Sequence, residues 1–272
     1  MMYFLFDRSI FHGDKFEHLV QSSLLRLVKS NTVRIYFTPT FIEETLQFGL
    51  KHRAELEQQL KLLFSLNSVH WFRPTESVIK AELGLEYSQS LYYLLTDEEI
   101  ASHIYGAYSY IVGKFPQDIL NEAKSEIARN KAIRERFRIQ RLALRKKVPY
   151  KKYDFDSFFE DHVEWLIQEG LMKYHPNSAN YLLRWRGSRE FCKFTEQYLK
   201  GWMSTIFLPL VNRSLPVQSN DRADATQLAY LTWADAIVSD DMKFMKEAFQ
   251  LLHSPPKQFF DLTSFIQYLS KL

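Results

Sequence analysis

The sequence predicts an α/β protein in which a parallel sheet flanked by helices is interrupted by a long all-helical insertion. Three observations carry this reading. Short continuous apolar runs ended by polar residues occur near both termini, as strands buried on both faces of a parallel sheet require. Segments of helical period separate those runs, giving strand, helix, strand units. From about residue 41 to 210 nearly every segment has the period of a helix, and strand signals are scarce.

Tyr3-Phe4-Leu5-Phe6 is too short for a buried helix and reads as the first strand, ended by Asp7. After His12-Gly13-Asp14, the residues Phe16, Leu19, Val20, Leu24, Leu27 and Val28 recur at helical spacing, and Val33–Phe37 reads as the second strand. A Thr ahead of Phe41-Ile42-Glu43-Glu44 caps a helix that begins near Phe41. Helical patterns continue through Leu56, Leu60, Leu63 and Phe64, from Val78 to Leu85, and from Ile100 to Ile111. Near the end, Asn220-Asp221-Arg222-Ala223-Asp224 opens a helix, Ala236–Ser239 and Gln258–Phe260 read as strands, and a helix runs from about Thr263 to Leu272. The expected division is an α/β core formed by residues 1–66 and 189–272, with residues 67–188 as the helical insertion.

Composition narrows the classes. With 46% hydrophobic and 25% charged residues but only 8 Gly and 9 Pro, the chain is neither disordered nor fibrous. A net charge of +3 is too small to point to a nucleic acid, so the distribution of charge must carry any such argument. Cys192 is alone, which excludes an intramolecular disulfide and a zinc site built on several thiolates. Asp7 and Arg8 interrupt the apolar start before it reaches signal-peptide length, and no later stretch is long and uncharged enough to span a bilayer. A soluble, cytoplasmic protein with no membrane partner is expected.

Ligands of open parallel sheets gather beyond the carboxyl ends of the strands. The residues expected there are acidic: Asp7 after the first strand, Glu43 and Glu44 in the helix after the second, and Asp240 and Asp241 after the third. Asp221 and Asp224 share a face at the start of a helix. Any one of these acids could merely start a turn or complement a helix dipole. Together they would repel one another unless cations neutralised them, and an all-oxygen cluster suits Mg²⁺ or Mn²⁺.

The same segments resemble the PIN-domain nucleases. Phe4-Leu5-Phe6-Asp7-Arg8-Ser9-Ile10 is similar to that family's apolar strand ending in Asp, and Thr38-Pro39-Thr40-Phe41-Ile42-Glu43-Glu44-Thr45-Leu46 to its strand leading into an acidic helix. Asp224-Ala225-Thr226-Gln227-Leu228-Ala229 and Ile237-Val238-Ser239-Asp240-Asp241-Met242-Lys243-Phe244 resemble its last two acidic segments. The resemblance implies a PIN-like fold in which Asp7, Glu44, Asp224 and Asp241 are catalytic and, with Asp240, bind Mg²⁺ or Mn²⁺. Ser9 would be an accessory hydrogen-bonding residue at the nucleic acid. Glu43 against Glu44, and Asp240 against Asp241, stay open as alternative registers, and Arg8 departs from the small polar residue usual after the first Asp. The implied activity is endonucleolytic hydrolysis of RNA, leaving a 5′-phosphate and a 3′-hydroxyl. The four acids are expected to converge within metal-coordinating distance.

The insertion is basic from Lys124 to Lys152, with Arg134, Arg138, Arg141, Arg145, Lys146 and Lys147 as its candidate RNA contacts. The alternative is the solvated face of a long helix, with Ile127, Ile133, Phe137 and Leu144 packing on the other side. In Tyr181-Leu182-Leu183-Arg184-Trp185, helical spacing puts Tyr181 and Trp185 on one face, which points to burial, and Tyr92, Tyr93, Tyr105, Tyr108 and Tyr110 are expected in the core of the insertion. A structure-specific DNA nuclease and a catalytically silent nucleic-acid-binding scaffold are the competing functions. A homodimer, or a protein partner that holds the activity silent, is compatible with either.

Overall fold

One parallel sheet organises the computed structural model, which describes residues 1–65, 69–84, 93–147, 154–168 and 179–272. Among the described residues its strands are β1 (Met2–Phe6), β2 (Val33–Phe37), β3 (Val69–Trp71), β4 (Ala236–Val238) and β5 (Gln258–Phe260), in the spatial order β3-β2-β1-β4-β5. Every pairing is parallel. The register sets Phe6 beside Phe37 and Val238, Phe37 beside Trp71, and Val238 beside Phe260, so the strands end on one level.

The helices among the described residues are α1 (Asp14–Gln21), α2 (Leu24–Lys29), α3 (Pro39–Gly49), α4 (Arg53–Ser65), α5 (Thr75–Glu82), α6 (Asp97–Ile111) and α7 (Gln117–Lys147). They continue with α8 (Phe155–Leu166), α9 (Ala179–Ser188), α10 (Lys193–Val211), α11 (Asp221–Ala229), α12 (Phe244–Leu252) and α13 (Leu262–Leu269). Alternation along the strands divides the core between the two faces of the sheet. Phe4, Phe6, Ile35, Phe37 and Val238 pack with Leu19 of α1, Leu27 of α2, Leu60 of α4 and Phe265 of α13. Leu5, Tyr36 and Ile237 pack on the other face with Phe159 of α8, Leu199 of α10, Leu228 of α11 and Phe244 of α12. Both faces are therefore covered, which is why the central strands are mostly apolar.

Three features differ from the sequence reading. The period from Phe16 to Val28 is divided into α1 and α2, because the backbone amide and hydroxyl of Ser22 both bond the Leu19 carbonyl and close α1. The cap of α3 is Thr38, whose hydroxyl accepts from the Phe41 amide at 3.2 Å, and Pro39 occupies the first helical turn, where its missing N–H has no partner to lose. Strand β3 lies beyond residue 66, inside the expected insertion; three residues at a sheet edge give no periodic signal to read.

The middle of the chain also shares the core of the sheet. Val78 and Ile79 of α5, Val163 and Leu166 of α8 and Trp185 of α9 join the cluster that contains Leu5 and Ile237. Of the tyrosines expected in the insertion core, Tyr93 stacks on Trp233 at 4.4 Å and Tyr110 bonds the Gly49 carbonyl at 3.2 Å. Tyr105 and Tyr108 are 73% and 58% exposed, so they lie outside that core. Tyr92, the Tyr181 side chain and the basic residues Lys151 and Lys152 lie outside the described residues.

Helix α10 is buried on all sides over most of its length, as a helix at the centre of a large core must be. It meets α11 backbone to backbone: a Cβ on Gly201 would stand 2.7 Å from the Ala225 carbonyl oxygen. Gly201 thereby fixes the seat of α11, the helix that carries Asp221 and Asp224.

Candidate active site

The carboxyl ends of β1 and β4 flank the point where strand order reverses, with β2 and β3 on one side and β5 on the other. That crevice is where open parallel sheets bind ligands. Asp7 stands in it, almost fully buried at the end of β1. Its Oδ2 accepts hydrogen bonds from the Ser9 hydroxyl at 2.5 Å and the Ser239 hydroxyl at 2.8 Å, and its Oδ1 accepts from Gln227 Nε2 at 3.2 Å. Gln227 is in turn held by the Thr38 hydroxyl, which donates to its Oε1 at 3.0 Å. One buried network thus ties β1, the start of α3, α11 and the end of β4 to a single carboxylate.

The other acids reach this crevice by different routes. Glu44 rises from the first turns of α3, and burial followed by the negative charge of Asp7 pushes its carboxyl up from the ordinary 4.5 to about 7. Asp224 lies one turn before Gln227 on α11. Enclosure, then Asp7, Glu44, Asp241 and Asp221 in that order, pushes its carboxyl well above the ordinary range. Neither Glu44 nor Asp224 has a hydrogen-bond or ion-pair partner among the described residues. Asp241 follows β4; its amide donates to the Ser239 hydroxyl at 3.1 Å, and its Oδ1 accepts from the amides of Lys243 and Phe244 ahead of α12.

Geometry separates the two acidic pairs. Glu44 is influenced by Asp7, whereas Glu43 is flanked by Arg134 and Glu126 of α7. Asp240 turns away to an ion pair with Lys15 at 2.7 Å and to the Leu262 amide at 2.9 Å, and Asp241 acts on Asp224. Asp7, Glu44 and Asp241 therefore all act on Asp224 at the ends of the strands. Among the described residues, however, no three His, Cys, Asp or Glu side chains stand together as a ready metal shell. Asp7 faces the hydroxyls and amide that fix it, and Asp241 faces the backbone of α12. The donors are all hard oxygens, and two of the carboxylates lack protein partners among the described residues, so the set fits Mg²⁺ or Mn²⁺ in its chemistry.

The hydroxyl of Ser9 is fully engaged within the protein. It donates to Asp7 and accepts from the Asp240 amide at 2.9 Å, so it positions the carboxylate and is not free to hold nucleic acid. Thr38, Gln227 and Ser239 were not singled out by the sequence. The signal available for Gln227 was its place one turn after Asp224, continuing the polar series Asp221, Asp224 along one face of the helix.

Arg8, the departure from the family pattern, is only 3% exposed. Its guanidinium lies 4.7 Å from the centre of the Phe48 ring and donates to Gln59 Oε1 at 3.0 Å, while Nε and Nη1 have no partner. Burial lowers its pKa to about 10, and Glu44 and Asp7 oppose that shift. Arg8 thus puts a positive charge behind the acidic rim.

Helix α7 corrects the reading of the basic segment. Its inward stripe runs Leu120, Ala123, Ile127, Asn130, Arg134, Arg138, Arg141 and Arg145, at the three- and four-residue steps of one helical face. Arg141 is buried: Nη1 pairs with Asp221 at 2.7 Å and donates to the Thr205 carbonyl at 3.1 Å, and Nη2 bonds the Gln218 carbonyl. It holds α7 to α11 and is closed to RNA. Arg145 donates to the Leu215 carbonyl at 3.0 Å, Arg138 is forked onto Glu135, and Arg134 reaches Asn220 Oδ1 at 3.4 Å. Lys146 and Lys147 are exposed, as are Lys124, Arg129, Lys131 and Arg136. Ile133 and Leu144, expected to pack, are on the exposed side.

Among the described residues no helix is long and apolar enough to cross a membrane. Comparison of the chain with protein-family models, with curated proteins and with solved structures finds no match. The fold and the crevice define the chain as an α/β protein with a five-stranded parallel sheet whose switch point is lined by carboxylates.

Proposed function

We propose that the chain is a PIN-like, divalent-metal-dependent endoribonuclease that hydrolyses RNA phosphodiester bonds at the carboxylate crevice. One observation carries the reading: Asp7, Glu44, Asp224 and Asp241 come from four separate elements to the switch point of the sheet, where Asp7 raises the cost of ionising Glu44, and Asp7, Glu44 and Asp241 raise that of ionising Asp224. Arg8 behind the rim offsets only part of that charge, and neither Glu44 nor Asp224 has a cation in contact, so their mutual repulsion is a cost that a bound divalent ion would remove. Asp7, Glu44 and Asp224, with Asp241 beside them, would hold Mg²⁺ or Mn²⁺, which supplies charge neutralisation, an activated water and stabilisation of the leaving oxygen. Ser9, Ser239 and Gln227 hold Asp7 in one orientation, so that carboxylate is fixed before a substrate arrives. The exposed cations of α7 attract the polyanion toward a rim that would otherwise repel it.

The test is incubation of 5′-labelled single-stranded and hairpin RNA, and of a flap-structured DNA, with the full chain. RNA cleavage leaving 5′-phosphates is expected with Mg²⁺ or Mn²⁺, and Asp7→Asn is expected to abolish it with the circular-dichroism spectrum unchanged. Cleavage of the flap DNA alone would move the substrate class, and RNA cleavage that persists in excess EDTA would overturn the mechanism.

A further inference from the structure

Beside the acidic rim, α3, α6 and α7 enclose an open groove of about 430 Å³. Glu43 forms the border: it lines the groove, while Glu44, the next residue, faces Asp7. Across that border stands Arg134, the α7 cation whose charge acts on both glutamates. Tyr110 and Phe115 make an aromatic wall, edge to face with centroids 6.3 Å apart, and the Tyr110 hydroxyl is anchored on the Gly49 carbonyl. The amides of Gln47 and Asn130 supply donors and acceptors at the same surface.

The charges say which part of a nucleic acid this groove accepts. Glu43 and Glu126 line it, so a phosphate is repelled from its interior, while Arg134 at the border attracts one. A flat, neutral, aromatic group with hydrogen-bonding edges fits what remains, and the volume lies in the range of small-ligand sites. Resting on the reading of the rim as a nuclease site, we propose that the groove takes one unpaired nucleobase of an RNA strand whose neighbouring phosphate lies at the rim beside Arg134. Because the two rings stand 86° apart, the base stacks on one of them and meets the other edge to face, and its polar edge meets Gln47 and Asn130. Substrate choice then depends on a base that can leave its stack, which selects single strands and loops over duplexes.

Gly106 makes a direct test possible. It lines the groove, and a Cβ built there meets nothing within 4 Å, so Gly106→Phe fills the space without a backbone clash. Binding of a fluorescein-labelled octa-adenylate would be measured in Ca²⁺, beside a set of the same oligonucleotides carrying one abasic ribose at each successive position. The parent is expected to lose roughly 5- to 150-fold in affinity for the oligonucleotide whose abasic position falls in the groove, the range set by one stacked base. Gly106→Phe is expected to bind all members of the set equally and weakly. Asn130→Leu, which keeps the branched side-chain shape and raises helix propensity, serves if the larger side chain disturbs the fold, and is expected to reduce the same base-dependent difference. Equal affinities across the abasic set in the parent, or no binding of the set, would overturn the groove assignment. Metal-dependent cleavage measured on the same samples reports separately on the rim: cleavage without base dependence keeps the nuclease reading and removes this one, and base-dependent binding without cleavage does the reverse.

Discussion

Asp221 and Asp224 lie one turn apart on α11 and meet opposite surroundings. Asp221 is sealed in an ion pair with Arg141, with the Gln218 amide on its Oδ2 at 2.9 Å. Asp224 faces Asp7, Glu44 and Asp241 and has no counter-charge in contact. Burial raises the proton affinity of both, yet only for Asp221 does an adjacent guanidinium oppose it. The first region joins the insertion helix to the core. The second leaves negative charge unresolved at the sheet edge, where a ligand of opposite sign would resolve it.

The largest effect expected from this contrast is at Arg141. Arg141→Met leaves Asp221 buried without its partner and is expected to cost about 3–5 kcal/mol in denaturant unfolding. Adding Asp221→Asn should recover most of the loss, because the stranded charge is then gone. Equal losses in the single and double variants would show that the pair is not what joins α7 to α11. For the same reason, replacing Arg134, Arg138, Arg141 and Arg145 together measures folding before it measures RNA affinity.

Next is Gly201→Ala, which places a methyl group 2.7 Å from the Ala225 carbonyl oxygen and must push α10 and α11 apart. An overpacking cost of about 1–3 kcal/mol is expected, together with reduced activity because α11 carries Asp224 and Gln227. Unchanged stability would show that the two helices are free to separate.

The acidic rim predicts the opposite sign. Glu44 binds its proton more tightly in the folded chain than in the unfolded one, so its contribution to stability is greatest below 4.5 and is lost as pH rises through about 7. Glu44→Gln should flatten that fall in a thermal-melt series across the window. Asp224→Asn, which removes a charge from a like-charged group, should leave neutral-pH stability unchanged or raised. A drop in melting temperature for Asp224→Asn would mean that its carboxylate has a stabilising partner.

The smallest effect belongs to the exposed cations. Replacing Lys124, Arg129, Lys131 and Arg136 with Gln should weaken RNA binding at low salt and reduce the slope of log affinity against log salt by about 1 for each phosphate contact removed. An unchanged slope would make this face of α7 a solvated surface only.

What the sequence revealed depended on periodicity. The strands Met2–Phe6, Val33–Phe37 and Ala236–Val238 were readable because burial on both faces leaves largely apolar runs, Gln258–Phe260 because two aromatic residues follow one another at the sheet edge, and the acids that end or follow the strands could be assigned to one sheet edge. Strand β3 was too short for that signal. The direction of the α7 arginines was hidden for another reason: burial of Arg141 depends on Asp221, a partner 80 residues away, which no local pattern encodes. Gln227 and Thr38, 189 residues apart, are joined only by the packing of α11 against α3. The orientation of Asp7 and Asp241 was equally unreadable, because it is set by hydrogen bonds from Ser9, Ser239 and the start of α12.

The central claim is that the acids of the crevice act as one cation-binding unit while Asp221 does not belong to it. Melting temperature as a function of Mn²⁺ concentration tests this most directly, since an ion that binds only the folded chain stabilises it in proportion to its occupancy. The parent should gain stability with Mn²⁺ at neutral pH. Asp7→Asn and Asp224→Asn should lose most of that gain, and the Arg141→Met/Asp221→Asn pair should keep it from a lower starting point. A gain of the same size in Asp224→Asn as in the parent, or no gain in the parent at millimolar Mn²⁺, would contradict the account.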